Sequence, residues 1–366
     1  MRRDESRPWF HARSVSRAFS ALGVVASGLA LTAFAPRQAP SAESAPAPAK
    51  MGGWKLATPA PHVALKPARV AGAESLDCAR CHAAVVDEWA SSAHALAWVD
   101  EQYQEQLADV KKPEGCHACH VPQPLFQQKD PAAKPPARAD VREHGIRCES
   151  CHLGEGGALL GPRGATTSAH ATKQSDAFVG AGSNALCSSC HRTTIGPVVG
   201  LAKDFEQSKQ AERGRSCAGC HLADVELEFT KLPTGENAAE GAPPGQRAGK
   251  SHLLQTPRDP AFLRRAFELR LAEKDGKSVL EILNQAGHRV PGLHGRKLVF
   301  TARARDASGK ELPPQTLTID VGAYLAVDGL RELPLGARVA SVHVTATHDE
   351  PRADGPVTFL DETLER

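Results

Sequence analysis

Cys78-Ala-Arg-Cys81-His82 opens a run of five segments built on one frame. The others are Cys116-His-Ala-Cys119-His120, Cys148-Glu-Ser-Cys151-His152, Cys187-Ser-Ser-Cys190-His191 and Cys217-Ala-Gly-Cys220-His221. Together they use all 10 cysteines of the chain. C-x-x-C-H is the signature of covalent c-type haem attachment. The two thiols add to the haem vinyl groups, and the two-residue gap lets one turn of chain present both sulfurs to one porphyrin edge. The histidine that follows is then the proximal iron ligand. Five covalently attached c-type haems are implied. Zinc ribbons need two C-x-x-C pairs per metal and do not require a histidine after each second cysteine. Given 16 histidines in 366 residues, five such coincidences have a chance on the order of 10⁻⁷. Disulfides would leave the spacing unexplained.

Working outward, the first cysteines of successive motifs are 38, 32, 39 and 30 residues apart. No unit of that length encloses a haem alone, so the haems must pack together and share walls. Short helices carrying the motifs, joined by long irregular loops, are expected across 73–260. The stretches 83–95 and 100–112 have helix-compatible composition, and strand-like stretches are scarce there. Aromatic residues make up only 5% of the chain; the macrocycles themselves can supply the missing apolar bulk.

The sixth ligand decides what each iron does, because an iron capped on both faces carries electrons and an open one can bind substrate. Only Met1 and Met51 are available as thioethers, at the terminus and in a Pro-rich stretch. Histidine is therefore the expected distal ligand, with low potentials. His94, His170, His252 and His288 are the main candidates, followed by His144, with His117 and His294 behind them. His343 and His348 fall on or near a strand and read as structural; His11 and His62 read as bystanders. Arg80, Arg147, Arg192 and Arg215 lie beside motifs and could pair with propionates or be solvated.

Residues 1–35 read as an export signal or an N-terminal membrane anchor. Arg2, Arg3, Arg7, Arg13 and Arg17 precede an uncharged run over 18–35. Such a run lies between a cleaved signal and a span. Residues 36–72 form an Ala/Pro-rich linker. The expected location is periplasmic, either soluble after cleavage or anchored to the inner membrane by residues 18–35. The net charge of +2 gives no electrostatic argument for nucleic acid.

From 261 to 366 the pattern changes to alternating strands separated by Gly, Pro and Asp turns. Phe267–Ala272, the Asp275-Gly276 turn, Ser278–Leu283, Lys297–Ala304, Leu317–Val321, Arg338–Thr345 and Val357–Leu360 suggest an antiparallel β-sandwich. The expected fold class is an α-rich, loop-rich multihaem cytochrome c domain over 73–260 followed by this sandwich. The sandwich reads as a cap over haem edges, docked through the His288 loop if that histidine is a ligand.

Several segments resemble the periplasmic multihaem cytochromes c of the nitrite-reductase and hydroxylamine-oxidoreductase clan, and are most similar to its electron-carrying members. They are Cys116-His-Ala-Cys119-His120-Val-Pro122, Gly145-Ile-Arg-Cys148-Glu-Ser-Cys151-His152, Trp89-x-x-Ser92-x-His94, the run from Asp204-Phe205 to His221, Ser251-His252, and Asn284-x-x-Gly287-His288-x-x-Pro291. The resemblance covers roughly 75–305 and implies distal roles for His94, His252 and His288. There are departures: Leu222 stands where the family often has methionine, Gly292-Leu293 where it has Thr-Gly, and Gln255-Thr256-Pro257 where it has a glycine pair. The clan's nitrite-reducing enzymes carry lysine for histidine in one motif, whereas all five motifs here end in histidine, which favours a carrier. The expected partners are redox proteins: other cytochromes or a membrane quinol-oxidising complex. The alternative is a multihaem oxidoreductase with one open haem, acting on a small nitrogen or sulfur compound.

Overall fold

The C-x-x-C-H frame folds as a helical turn because positions i, i+3 and i+4 share one helix face. In the computed structural model this holds at every motif. The described residues are 69–166, 169–195, 199–231, 245–350 and 353–366. The expected signal, His11, His62 and nearly all of the linker lie outside them.

Helix α1 (Ala79–Ala90) starts one residue after Cys78, and His82 carries a local kink. It is followed by α2 (Glu101–Ala108), where Asp100 accepts from the Tyr103 N–H as N-cap. Helices α3 (Glu114–His120), α4 (Cys148–His152), α5 (Asn184–His191) and α8 (Cys217–His221) each end on a motif histidine; α6 (Leu201–Glu206) and α7 (Lys209–Glu212) lie between the last two. The two helical stretches expected at 83–95 and 100–112 are therefore shorter than their composition allows. Helix α1 stops where the Ser92 hydroxyl accepts from Ala95 N–H and competes with the helical pattern.

The haem-binding part is only partly α-rich. It carries a three-stranded sheet of β1 (Leu159–Gly161), β2 (Ala165–Thr166) and β3 (Ala171–Gln174), in the order β1-β3-β2. It also carries an antiparallel pair, β4 (Asp224–Leu227) with β5 (Arg247–Lys250). Strands this short leave no periodic signature to read. Its own apolar cluster is small: Val70, Ala73, Leu76, Val86, Trp89, Ala90 and Ala95.

After helix α9 (Pro260–Arg264) come β6 (Phe267–Lys274) and β7 (Lys277–Asn284), joined at Asp275 and Gly276. Both turn residues have positive φ, 51° and 71°, as a two-residue hairpin twisted like its strands requires. Then follow β8 (Lys297–Asp306), β9 (Gln315–Ile319), β10 (Leu330–Ala337), β11 (Val339–Asp349) and β12 (Val357–Glu365). They form a three-stranded sheet β10-β7-β6 and a four-stranded sheet β12-β11-β8-β9. Buried residues from both sheets, among them Leu269, Leu280 and Ile282 from one and Phe300, Val344 and Leu360 from the other, share one core. Two sheets facing across a common core is the arrangement expected of a sandwich. Strand β10 was not anticipated, because Pro334 breaks its pattern; the proline is accommodated at a register shift on an edge strand. Among the described residues no helix is long and apolar enough to cross a membrane.

Candidate haem-binding site

None of the ten cysteines is in a disulfide, and all are half-buried. Sulfurs from different motifs approach one another. The Cys148 thiol donates to Cys78, Cys190 to Cys119 and Cys187 to Cys217, and each donor thiol is thereby held well above the usual cysteine range. Cys151, pushed up to about 11 by burial, acts electrostatically on both Cys187 and Cys190. The first motif thus sits beside the third, the second beside the fourth and the fourth beside the fifth, with the third next to the fourth. These titrations belong to thiols; a thioether has no proton to lose.

The histidines show the clearest organisation. The ring centres of His82 and His170 are 6.3 Å apart, His152 and His252 6.3 Å, His94 and His191 6.4 Å, and His221 and His288 6.3 Å. An iron midway between two imidazoles, bonded to each nitrogen at about 2 Å, needs ring centres roughly 6 Å apart. Each pair joins one motif histidine to one histidine from a distant part of the chain. The residues present therefore fit haem iron at four motifs.

Backbone carbonyls fix the ring tautomers. Nδ1 of His82 donates to Phe229 O at 2.5 Å, His120 to Ala97 O at 2.5 Å, His152 to Leu160 O at 2.7 Å and His221 to Gln255 O at 2.7 Å. His288, which faces His221, donates Nδ1 to Arg289 O at 2.9 Å. A proton held on Nδ1 leaves the Nε2 lone pair for a metal. Burial pushes His94 and His252 down to about 4, and lowers His120, His152, His191, His221 and His288 as well. Neutral imidazoles are what a metal needs as ligands.

His120 differs from the rest. Among the described residues no histidine ring faces it. Tyr103 lies flat on its imidazole instead, centroids 3.6 Å apart and planes 9° apart. His117 packs on Trp98 at 5.1 Å. His144 is buried, directs Nε2 at Ala71 O at 3.1 Å and sits edge-on to Trp89; it is not brought opposite any motif histidine. Tyr103 Oη, His117 Nε2 and Arg142 Nε are buried atoms without a protein partner. Their clustering near the second motif fits a further polar group such as a propionate.

The histidines that face motif histidines are held by contacts from other segments. The Glu88 carboxylate on α1 accepts the His252 N–H at 2.8 Å. Asp204 on α6 accepts from Arg289 N at 3.1 Å, Nε at 2.6 Å and Nη2 at 2.8 Å, fixing the β7–β8 loop that carries His288. Asn284 Nδ2 donates to the His288 carbonyl at 2.8 Å. Tyr103 and the carbonyl acceptors were not legible beforehand; one of only two tyrosines in the chain lying close to a motif was the available signal for the first. Of the arginines beside motifs, Arg147 pairs with Glu149 at 2.6 Å and Arg192 with Glu206. His343 bonds Asp361 at 2.7 Å, and buried His348 lies beside Arg296, both away from the motifs.

Fold and site together are similar to those of multihaem c-type cytochromes. More particularly, residues 77–153 match the family described as cytochrome c554 and c-prime. The fold is similar to that of a penta-haem cytochrome c552 from Thermochromatium tepidum, with a TM-score of 0.51 at 16% identity, over 79% of this chain and 97% of that chain. No curated protein matches the chain.

Proposed function

We propose that this chain is a periplasmic pentahaem electron-transfer cytochrome, with a haem domain over 73–260 and a capping β-sandwich over 261–366. Haem iron supplies one-electron chemistry when bound; the chain's part is to hold five macrocycles close together, fix their ligands and keep water from them. The observation that carries this reading is the set of four histidine pairs near 6.3 Å. In it, His82 pairs with His170, His152 with His252, His191 with His94 and His221 with His288. A site capped on both faces has no room for substrate, and so favours a carrier. Its partners are other cytochromes or a membrane quinol-oxidising complex, with the N-terminal segment as a possible tether.

One observation favours a second reading. Among the described residues no histidine faces His120, so the second motif is the place where an iron could take a small nitrogen or sulfur compound.

The test is haem counting with low-temperature electron paramagnetic resonance and magnetic circular dichroism of the oxidised protein. The carrier reading expects five haems, at least four of them low-spin bis-histidine. His170→Ala, His252→Ala and His288→Ala should each add one high-spin haem at unchanged haem content. Nitrite, hydroxylamine or cyanide binding confined to a high-spin haem would move the oxidoreductase reading forward; a bis-histidine count below four would overturn the ligand assignment.

A further inference from the structure

His94 reaches its place opposite His191 through an unusually close backbone approach. Gly145 has φ 50° and ψ −125°, a region that a residue with a Cβ does not hold. A Cβ at this position would lie 2.4 Å from His94 O and 2.6 Å from Ala95 O, both rigid backbone atoms. The next residue uses that approach: Ile146 N–H donates to His94 O at 2.9 Å. From the other side, Trp89 on α1 donates Nε1–H to Ile146 O at 2.9 Å. Ser92, which is 1% exposed, accepts from Ala95 N–H through its hydroxyl. Cys148, the attachment point of the third motif, follows three residues after Gly145.

We infer that Gly145 is a positioning residue for His94, so that the segment anchoring the third motif sets the ligation at the fourth. This rests on the proposed pairing of His94 with the motif of His191. The reason is steric and local. Only glycine lets the 145–146 backbone come near enough to hold the His94 carbonyl, and that carbonyl fixes where the imidazole points. Any side chain at 145 must push the 94–95 segment away, because neither contacting atom can rotate aside.

The test compares Gly145→Ala with Gly156→Ala, His94→Ala and the Gly145→Ala/His94→Ala double variant, reading spin state and covalent haem content. Gly156 also has positive φ, 64°, with ψ 18°, but a Cβ there meets nothing within 4 Å, so it controls for replacing a left-handed glycine that makes no close approach. The expected result is one additional high-spin haem in Gly145→Ala at full haem content, with the same signal as His94→Ala. The double variant should add no second signal, added imidazole should return the haem to low spin, and Gly156→Ala should resemble the parent. Should Gly145→Ala not accumulate with its haems, Trp89→Phe carries the test. Loss of one neutral hydrogen bond should let imidazole reach that iron about fivefold faster, and an unchanged rate overturns the inference. A high-spin haem in His94→Ala beside a parent-like Gly145→Ala overturns the inference alone. A His94→Ala variant with no high-spin haem beyond the parent's overturns the pairing beneath it.

Discussion

At the residue scale, His120 and Tyr103 set the second motif apart from the other four. Elsewhere the motif histidine has a second histidine across from it; here an aromatic ring lies on its flank. Stacking holds the plane of the imidazole, and such pairs contribute about 1 kcal/mol beyond area burial. Burial pushes the Tyr103 phenol up to about 12, so it stays neutral at pH 7. Tyr103→Phe keeps the ring and should leave the haem spectra unchanged. Tyr103→Ala frees the imidazole, and should shift cyanide affinity at this one haem about fivefold at unchanged haem content. Cyanide titration followed by absorbance checks both, and a large effect of Tyr103→Phe would show that the phenol hydroxyl, not the stack, matters.

At the element scale, the decisive contact is between α6 and the β7–β8 loop. The Arg289 guanidinium grips Asp204 with two side-chain bonds, and the Arg289 N–H adds a third. Two glycines make the fit possible: a Cβ at Gly287 would lie 3.1 Å from the Phe205 ring, and one at Gly292 2.6 Å from Leu201. Arg289→Ala leaves a largely buried carboxylate without its partner and should cost about 2 kcal/mol in denaturant unfolding. It should also turn the haem of His221 partly high-spin, whereas loss of stability with no high-spin haem beyond the parent's would separate docking from ligation. The acid response has a definite sign. Burial raises the Asp204 carboxyl, but the bonds from Arg289 outweigh it and leave the group below its ordinary 3.8. A depressed carboxylate contributes its full stabilisation above the unfolded value and loses it as pH falls through the folded one. This contact should therefore survive mild acid and release only below about pH 3.8, seen as an Asp204→Asn variant whose stability difference from the parent vanishes in that range.

At the scale of the whole molecule, the two parts are stabilised differently. The C-terminal part has a continuous core in which Phe267, Phe300 and Phe359 meet at centroid distances of 5.1, 5.6 and 5.8 Å. The motif-bearing part has a cluster of six small or medium apolar residues plus Trp89 near its N-terminal edge, and short elements that cannot bury much surface by themselves. Protein made without haem attachment should therefore keep a protease-resistant fragment starting near 261 and lose the rest. Mass spectrometry of a limited digest reads this directly, and resistance across 73–260 in haem-free protein would contradict it.

Much of this was written in the chain itself. The attachment chemistry is local: five C-x-x-C-H turns, each needing only one helical turn to align its groups, can be read without any fold. So could most strands of the C-terminal part, because alternation of burial is a property of neighbouring residues; β10 escaped because Pro334 masks its period. What only the tertiary structure decided is which histidine stands across from which. His94 and, behind it, His144 were both candidates in the sequence, yet one faces His191 and the other turns to Ala71. The difference lies in contacts between segments far apart in sequence: Gly145 against the His94 carbonyl, Glu88 beneath His252, Asp204 on Arg289. A pairing across such separations depends on how loops pack, and packing has no period along the chain.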